Sequence, residues 1–435
     1  MDTTAPVPDR PAAGRVPTRF LPRSLQVLRH RDFALVQVGN SVSQIGTWMQ
    51  YVALGWGIRQ LTAWPFAIAL SLVAQFGPSL LLSPYAGSLA DRYDRRTIVI
   101  VGNVLMVFPP VAIGVLVSLG VQTIPSILAL AAVGGIAQAM TQPAMVAIVP
   151  RIVPPDEIAQ AIAGQSVLGN LTRVVGPSFG ALAINAWGLD SAFYLNAVSF
   201  LAVVLAWAFV RPPVDVRDGE HESFWSRIRA GLAYSRRHPQ VLQLLGYAAV
   251  MSLVVYHAAL LPVIATDVLH SGASGYGLLQ SATGIGAIIG ALFAGEITTD
   301  ARRRVALIGG VLATAAAYVI VALSHSLAVS MAGLGVYGLA FFMAGAVSQS
   351  ALLTATDDAY RGRVMGLYST MVVGGVPIAA LTGGALGSLL GVSEAVGTAA
   401  IVMSAYGGWF VLSGAYRTVA IDEILVEELE PEGAT

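Results

Sequence analysis

Gly87-Ser88-Leu89-Ala90-Asp91-Arg92-Tyr93-Asp94-Arg95-Arg96 places three arginines and two acids within ten residues. Apolar chain flanks it on both sides, over 66–90 and 97–119. A helix crossing a bilayer needs about 20 mostly apolar residues. The charged stretch therefore reads as a short turn between two membrane spans. Gly87 permits a tight turn or a close backbone approach. Asp91 is placed to accept from a helix N-terminus or to pair with an arginine.

Further apolar stretches lie at 33–58, 124–147, 157–187, 191–210, 241–266, 273–298, 304–323, 327–351, 362–388 and 393–416. The breaks between them are short and use turn residues, as in Thr62-Ala63-Trp64-Pro65 and Gly188-Leu189-Asp190. Only 11% of the chain is charged, 56% is hydrophobic, and the mean hydropathy is +0.72. A soluble domain carries about 25% charged residues, so the fitting solvent is a bilayer.

The arginines test the count of twelve. All 24 basic residues are Arg, with no Lys. With the N-terminus inside, all but Arg59 and Arg173 fall in the tails or in even-numbered connections. Such one-sidedness is what the positive-inside rule demands, and one missed span would scramble it. The expected fold is an all-α integral membrane protein of two six-helix bundles. Its parts are a cytoplasmic tail (1–32), a first bundle (33–210), a cytoplasmic linker (211–240), a second bundle (241–416) and a cytoplasmic tail (417–435). The first tail, rich in Pro and Arg with no apolar core, reads as a flexible segment rather than a signal peptide. The linker holds an amphipathic piece with Trp225, Ile228 and Leu232, fit either to lie at the inner interface or to act as a plain solvated linker.

Several functions are excluded. Without Lys there is no Walker A loop, so ATP is not hydrolysed by a P-loop of this chain. Without Cys there are no disulfides, thiolate metal sites or cysteine nucleophiles. The spans hold no paired acids and no metal-ligating His cluster, so neither an enzyme nor a cofactor is expected.

The halves echo each other about 200 residues apart. Gly295-Glu296-Ile297-Thr298-Thr299-Asp300-Ala301-Arg302-Arg303-Arg304 repeats the opening stretch with its acid shifted by one position, and Gly176-Pro177 is matched by Gly375-Val376-Pro377. Parallel six-helix repeats with a substrate site near the midplane are one plan for secondary transporters.

These residues resemble the major facilitator superfamily. Gly87-x-Leu89-Ala90-Asp91-Arg92-x-x-Arg95-Arg96 looks like its signature loop between spans 2 and 3, and Gly176-Pro177-x-x-Gly180 like part of its antiporter motif. Ser43-Gln44-Ile45-Gly46-Thr47-Trp48-Met49, Arg173-Val174-Val175-Gly176-Pro177 and Arg361-Gly362-Arg363-Val364 look most like the enterobactin-exporter and macrolide-efflux branch. The resemblance implies alternating access and proton-coupled export of a small molecule from the bacterial cytoplasmic membrane, by a monomer in lipid with no nucleic-acid partner. Three departures stand out. Thr47 replaces the acid usual in span 1, Gly135 replaces the Arg of span 4, and Thr172 and Ala181 replace glycines of the antiporter motif. No proton-carrying residue is carried over from the resemblance.

Candidate residues follow from charge and polarity within the spans. Asp91 with Arg92 and Arg95 is expected to latch the inner ends of spans 2 and 11, with Arg363 as partner; alternatively Arg95 and Arg96 merely fix orientation. Arg173 is the one arginine within a span; it is a gate, an anion contact, or a snorkelling side chain. Asn40, Ser43, Thr47, Gln50 and Tyr51 form a polar stripe at helical spacing, suited to a cavity or to interhelical hydrogen bonds. Gln138, Gln142, Tyr256, His257 and Gln349 join it as cavity candidates. Histidine is the side chain whose ordinary pKa lies near neutral, and His257 sits deep in a span, as a proton relay or a structural ring. Glu296 and Asp300 are coupling candidates or members of a second latch. The leading expectation is export of a drug-like or siderophore-like molecule. The rivals are an importer on the same fold and a transporter-like sensor.

Overall fold

The computed structural model describes residues 23–148, 151–210, 224–255, 257–414 and 416. They form fourteen α-helices and no strand among the described residues. The first half comprises α1 (Arg31–Leu61), α2 (Pro65–Arg92), α3 (Arg95–Ser118), α4 (Ile124–Ile148), α5 (Ile158–Trp187) and α6 (Leu189–Phe209). A linker helix, α7 (Phe224–Arg237), precedes the second half. That half comprises α8 (Pro239–Leu253), α9 (His257–Val263), α10 (Gly272–Ala294), α11 (Asp300–Leu323), α12 (Leu327–Thr354), α13 (Asp358–Leu389) and α14 (Val392–Leu412).

Eleven stretches are long and apolar enough to cross a membrane, among the described residues. The twelfth crossing is α1, which has the length, at 31 residues, but not the apolarity. Gln37, Asn40, Ser43, Gln44, Thr47 and Gln50 interrupt it. The seventh crossing, Pro239–Val268, is not one continuous α-helix: it runs through α8, a break, α9 and a π-helical turn at Ile264–Val268. The hydroxyl of Tyr318 on α11 donates to the freed Val254 carbonyl at 2.6 Å. Broken helices persist at membrane depth only where such partners satisfy the backbone.

The halves are built alike. In the first, α1 packs on α5 and α6, and α4 on α2 and α3; in the second, α12 packs on α10 and α11, and α11 on α14. Gly188 between α5 and α6 (φ 95°) and Gly391 between α13 and α14 (φ 108°) hold equivalent left-handed turns. Side chains there would be strained, so glycine stands at both. Close glycine packing occurs between α10 and α12: a Cβ on Gly286 would lie 2.0 Å from the Gly335 carbonyl oxygen.

Arginines mark one end of the bundle. There, Arg96 donates to the Trp207 and Ala208 carbonyls (2.9 and 3.3 Å), binding the start of α3 to the end of α6. Asp94 accepts from the Thr97 N–H at 2.8 Å and N-caps α3. The Thr97 hydrogen bonds hold its carboxyl below the usual range despite some burial. A 3₁₀ segment, Arg23–Arg29, docks under α5 through Val27, which packs with Phe33, Val153 and Ala161. Arg29 and His30 both meet the Glu157 carboxylate. Burial alone would raise the pKa of Glu157; hydrogen bonds from His30 and Arg29 outweigh it and bring it below the ordinary value.

The linker helix α7 contacts the second half of the bundle. It packs against α13 and α8 through Ile228, Leu232 and Tyr234, with Arg227, Arg229, Arg236 and Arg237 exposed. The Tyr234 ring stacks on His238 and Tyr360, and its hydroxyl accepts from the Asp357 N–H at 3.1 Å.

Candidate functional site

The halves meet along two antiparallel helix pairs, α2 with α13 and α5 with α10. Along the first pair, Pro65 faces Gly387, Ala69 faces Gly384 and Leu80 faces Gly374. A Cβ on Gly384 would lie 2.5 Å from the Ala69 Cβ, which shows how close the contact is. Along the second, Asn185 donates to Ser274 at 2.6 Å, Gly277 abuts Ala181 and Gly284 abuts Val174. Arg59 and Asp267 form an ion pair across the halves at this Arg-poor end.

Toward the Arg-rich end neither pair makes such close glycine contacts among the described residues. Leu81 and Tyr85 on α2 are exposed, and a Cβ on Gly87, Gly169, Gly362 or Gly366 would meet nothing within 4 Å. The register of α2 and α13, carried onward, brings Asp91 level with Gly362 and Arg363. The side chains of Asp91 and Arg92 lie outside the described residues. Arg95 opens α3, and the Arg363 guanidinium lies over the Tyr360 ring at 5.3 Å.

Between the closed and parted ends lies a central cavity of about 340 Å³ at mid-depth. Trp48, Tyr51, Phe76, Arg173 and Pro177 line it from the first half. His257, Gln280, Tyr337, Phe341 and Phe342 are among the residues that line it from the second. Arg173 sits at the middle of α5, about 21 Å of helix from either end, too far to snorkel. Its guanidinium lies between two rings, 5.2 Å from the centroid of Trp48 and 4.7 Å from that of Phe342. Its Nε is buried without a hydrogen-bond partner among the described residues. Gln280 lines the cavity beside Tyr51, where α10 meets α1.

His257 opens α9 directly after the break in the seventh crossing and is 3% exposed. The single Tyr318 hydroxyl hydrogen goes to Val254, so His257 Nδ1–H donates to the Tyr318 oxygen at 3.0 Å. Nε2 is then the nitrogen that would take a further proton.

The polar stripe of α1 divides between two cavities. Tyr51 faces the central one. Asn40, Ser43, Thr47 and Gln50 line a second cavity of about 210 Å³ inside the first half, together with Gln138 and Gln142. Gln44, Gln75, Asn103 and Asn196 complete its amide lining, and none of its lining residues is charged. Asn196 donates to Gln50 at 2.6 Å. Gln349 is exposed near the Arg-rich end of α12 and lines neither cavity. Tyr256 lies outside the described residues. Glu296 is exposed, and Asp300 pairs with Arg303 at 3.0 Å in the first turn of α11. Phe76, Tyr337, Phe341, Phe342 and Gln280 were not singled out from sequence. The aromatic spacing i, i+4, i+5 in Tyr337, Phe341 and Phe342 was the available signal.

Two six-helix halves, closed on each other at one end, parted at the other and enclosing a mid-depth cavity, define a major facilitator transporter. The chain belongs to the transmembrane secretion effector family of that superfamily, whose pattern it matches over residues 23–424. It is 28% identical over 383 residues to YfiS, an uncharacterized MFS-type transporter of Bacillus subtilis, covering 82% of this chain and 86% of that protein. It is 25% identical over 371 residues to the enterobactin exporter EntS of Escherichia coli, covering 83% and 86%. In fold it is similar to a bacterial homolog of the human lysosomal transporter Spinster, inward-facing and occupied (TM-score 0.70, 15% identity, 89% and 97% covered). It is likewise similar to the nucleoside transporter NupG (TM-score 0.70, 13% identity, 89% and 99% covered). The chain is thus a multi-pass membrane transporter and not an enzyme.

Proposed function

We propose that this transporter exports a small amphiphilic organic molecule across the bacterial cytoplasmic membrane by alternating access. The observation that carries this reading is the central cavity, aromatic on most sides, reached from one end of the bundle and shut at the other. Its contacts with cargo are Trp48, Tyr51, Arg173, His257 and Gln280. Rings of this kind suit drug-like or siderophore-like compounds, with a few polar groups to orient them. Export as the direction rests on the likeness to EntS. The Arg-rich end is the cytoplasmic one under the positive-inside rule, with both termini inside. The arrangement is then inward-facing and ready to load from the cytoplasm.

Asp91 is the proposed latch of the opposite, outward-facing state. When α2 and α13 zip fully, their register brings Asp91 to Arg363 and the start of α13, where a carboxylate finds both an arginine and a helix N-terminus. Asp91→Asn then abolishes transport while leaving surface expression normal; intact transport sinks the latch. A proton-coupled cycle would need His257 as its carrier, since no acid lines the central cavity among the described residues. If His257→Gln leaves efflux as sensitive to a pH gradient as before, His257 is not the carrier.

The test of export is accumulation of macrolide and catecholate-siderophore probes in cells lacking the protein and in cells overproducing it. Higher accumulation in the deletion strain supports export. Lower accumulation indicates import, and no change for any probe indicates a protein that moves no such cargo.

A further inference from the structure

Arg173 is a charge at membrane depth with no counter-charge among the described residues. Every Asp and Glu of the chain lies in a tail, a connection or the end turn of a helix. The nearest at the Arg-poor end, Asp267, is held by Arg59. None lines either the central cavity or the amide cavity. The rings of Trp48 and Phe342 flank the guanidinium but cannot fill its in-plane donors, and Nε is left without a partner. A cation in such a place is costly unless it faces a functional pathway.

That geometry specifies a ligand. A guanidinium takes a planar or tetrahedral oxyanion through two parallel N–H donors. The flanking Trp48, Phe342 and Tyr337 rings suit an aromatic or aliphatic body attached to that oxyanion. Building on the export proposed above, we infer that the cargo is an organic anion whose charge is met by Arg173, and that each cycle moves net negative charge out of the cell.

The consequence is energetic. The cavity is cationic when empty and neutral when it holds a monoanion. The loaded carrier turns outward without moving charge. The empty carrier returns with the charge of Arg173 and is drawn back by an interior-negative potential. One elementary charge per cycle then supports about a 50-fold gradient for each 100 mV. A potential-driven exporter of anions has no need of the acid that Thr47 replaces in span 1.

The test uses the purified full-length protein in liposomes, with protein-free vesicles as baseline. Three probes share one ring system: naphthalene-1-sulfonate, its neutral sulfonamide, and a naphthylmethyl-trimethylammonium cation. A potassium–valinomycin potential is imposed. The expected result is movement of the sulfonate at least 10-fold faster than of the sulfonamide, with its steady-state gradient changing about 50-fold per 100 mV step. Arg173→Gln removes the preference for the anion, and Arg173→Lys keeps part of it. Equal movement of all three probes, a sulfonate gradient indifferent to potential, or an anion preference surviving in Arg173→Gln overturns the inference. Should Arg173→Gln not fold, the charge preference and potential dependence of the wild type decide it. Movement of the neutral or cationic probe alone overturns the anionic cargo and leaves export standing. Movement of none overturns both.

Discussion

The hydroxyl of Tyr318 holds two buried groups at once, and Tyr318→Phe isolates what it does. The ring is retained, 5.4 Å from Tyr337 and 5.8 Å from His257 between centroids, so packing is preserved. The hydrogen bonds lost include those to the Val254 carbonyl (2.6 Å) and from His257 Nδ1 (3.0 Å). Tyr318 is 1% exposed and His257 3%, so water does not reach these groups in place of the hydroxyl. A buried polar group left without its partner costs about 1–3 kcal/mol. Because both groups share one oxygen, the expected loss is about 2–4 kcal/mol rather than the full sum. The assay is reversible unfolding in mixed micelles, followed by intrinsic fluorescence. Tyr368→Phe is the control: its hydroxyl makes only a 3.3 Å bond to the Gly345 carbonyl, so its loss should stay below about 1 kcal/mol. A double-mutant cycle with His257→Phe should show a coupling of about 1 kcal/mol. Equal costs for the two Tyr→Phe variants, or zero coupling in the cycle, would refute the view that Tyr318 secures the broken seventh crossing.

Three further outcomes are expected. Gly277→Val should destabilise the protein by about 1–3 kcal/mol in the same assay, since a Cβ there would lie 2.5 Å from the Ala181 Cβ and 3.0 Å from the Pro177 carbonyl oxygen. Arg96→Ala should cost about 1–2 kcal/mol by freeing the Trp207 and Ala208 carbonyls at the end of α6, with Arg96→Lys recovering part. Glu157 has its pKa depressed in the fold, so its contribution is present above the ordinary Glu value of about 4.3 and is lost as pH falls through the depressed value. The melting temperature of wild type should therefore exceed that of Glu157→Gln near neutral pH and converge with it in acid.

Much of the fold was legible because charge and apolarity are read along the chain. The case of α1 shows why both were needed. Its polar stripe keeps it below the apolarity of the other crossings, and the alternation of the arginines is what placed it. The break after Leu253 was not legible. Val254-Val255-Tyr256 contains neither Gly nor Pro, and the partner that stabilises the break, Tyr318, lies more than 60 residues away. The stripe of α1 announced a polar face but not which neighbours would meet it. Residues 50 and 51 are about 100° apart around a helix, and that rotation sends Gln50 into the amide cavity and Tyr51 into the central one. Arg173 was conspicuous as the one arginine within a span. The rings that flank it are contributed by α1 and α12, a juxtaposition that only the packing of two halves creates.

The chain has no native cysteine, so spin labels can be placed without background. Electron–electron distances between labels at Trp64 and Leu390, exposed at the Arg-poor end, and at Tyr85 and Gly366 at the Arg-rich end measure both gates in lipid nanodiscs. Alternating access predicts a short 64–390 distance paired with a long 85–366 distance as one population, and the reverse as a second. It further predicts that Asp91→Asn drains the second population. A single population at both pairs, or two pairs that lengthen together, would contradict it.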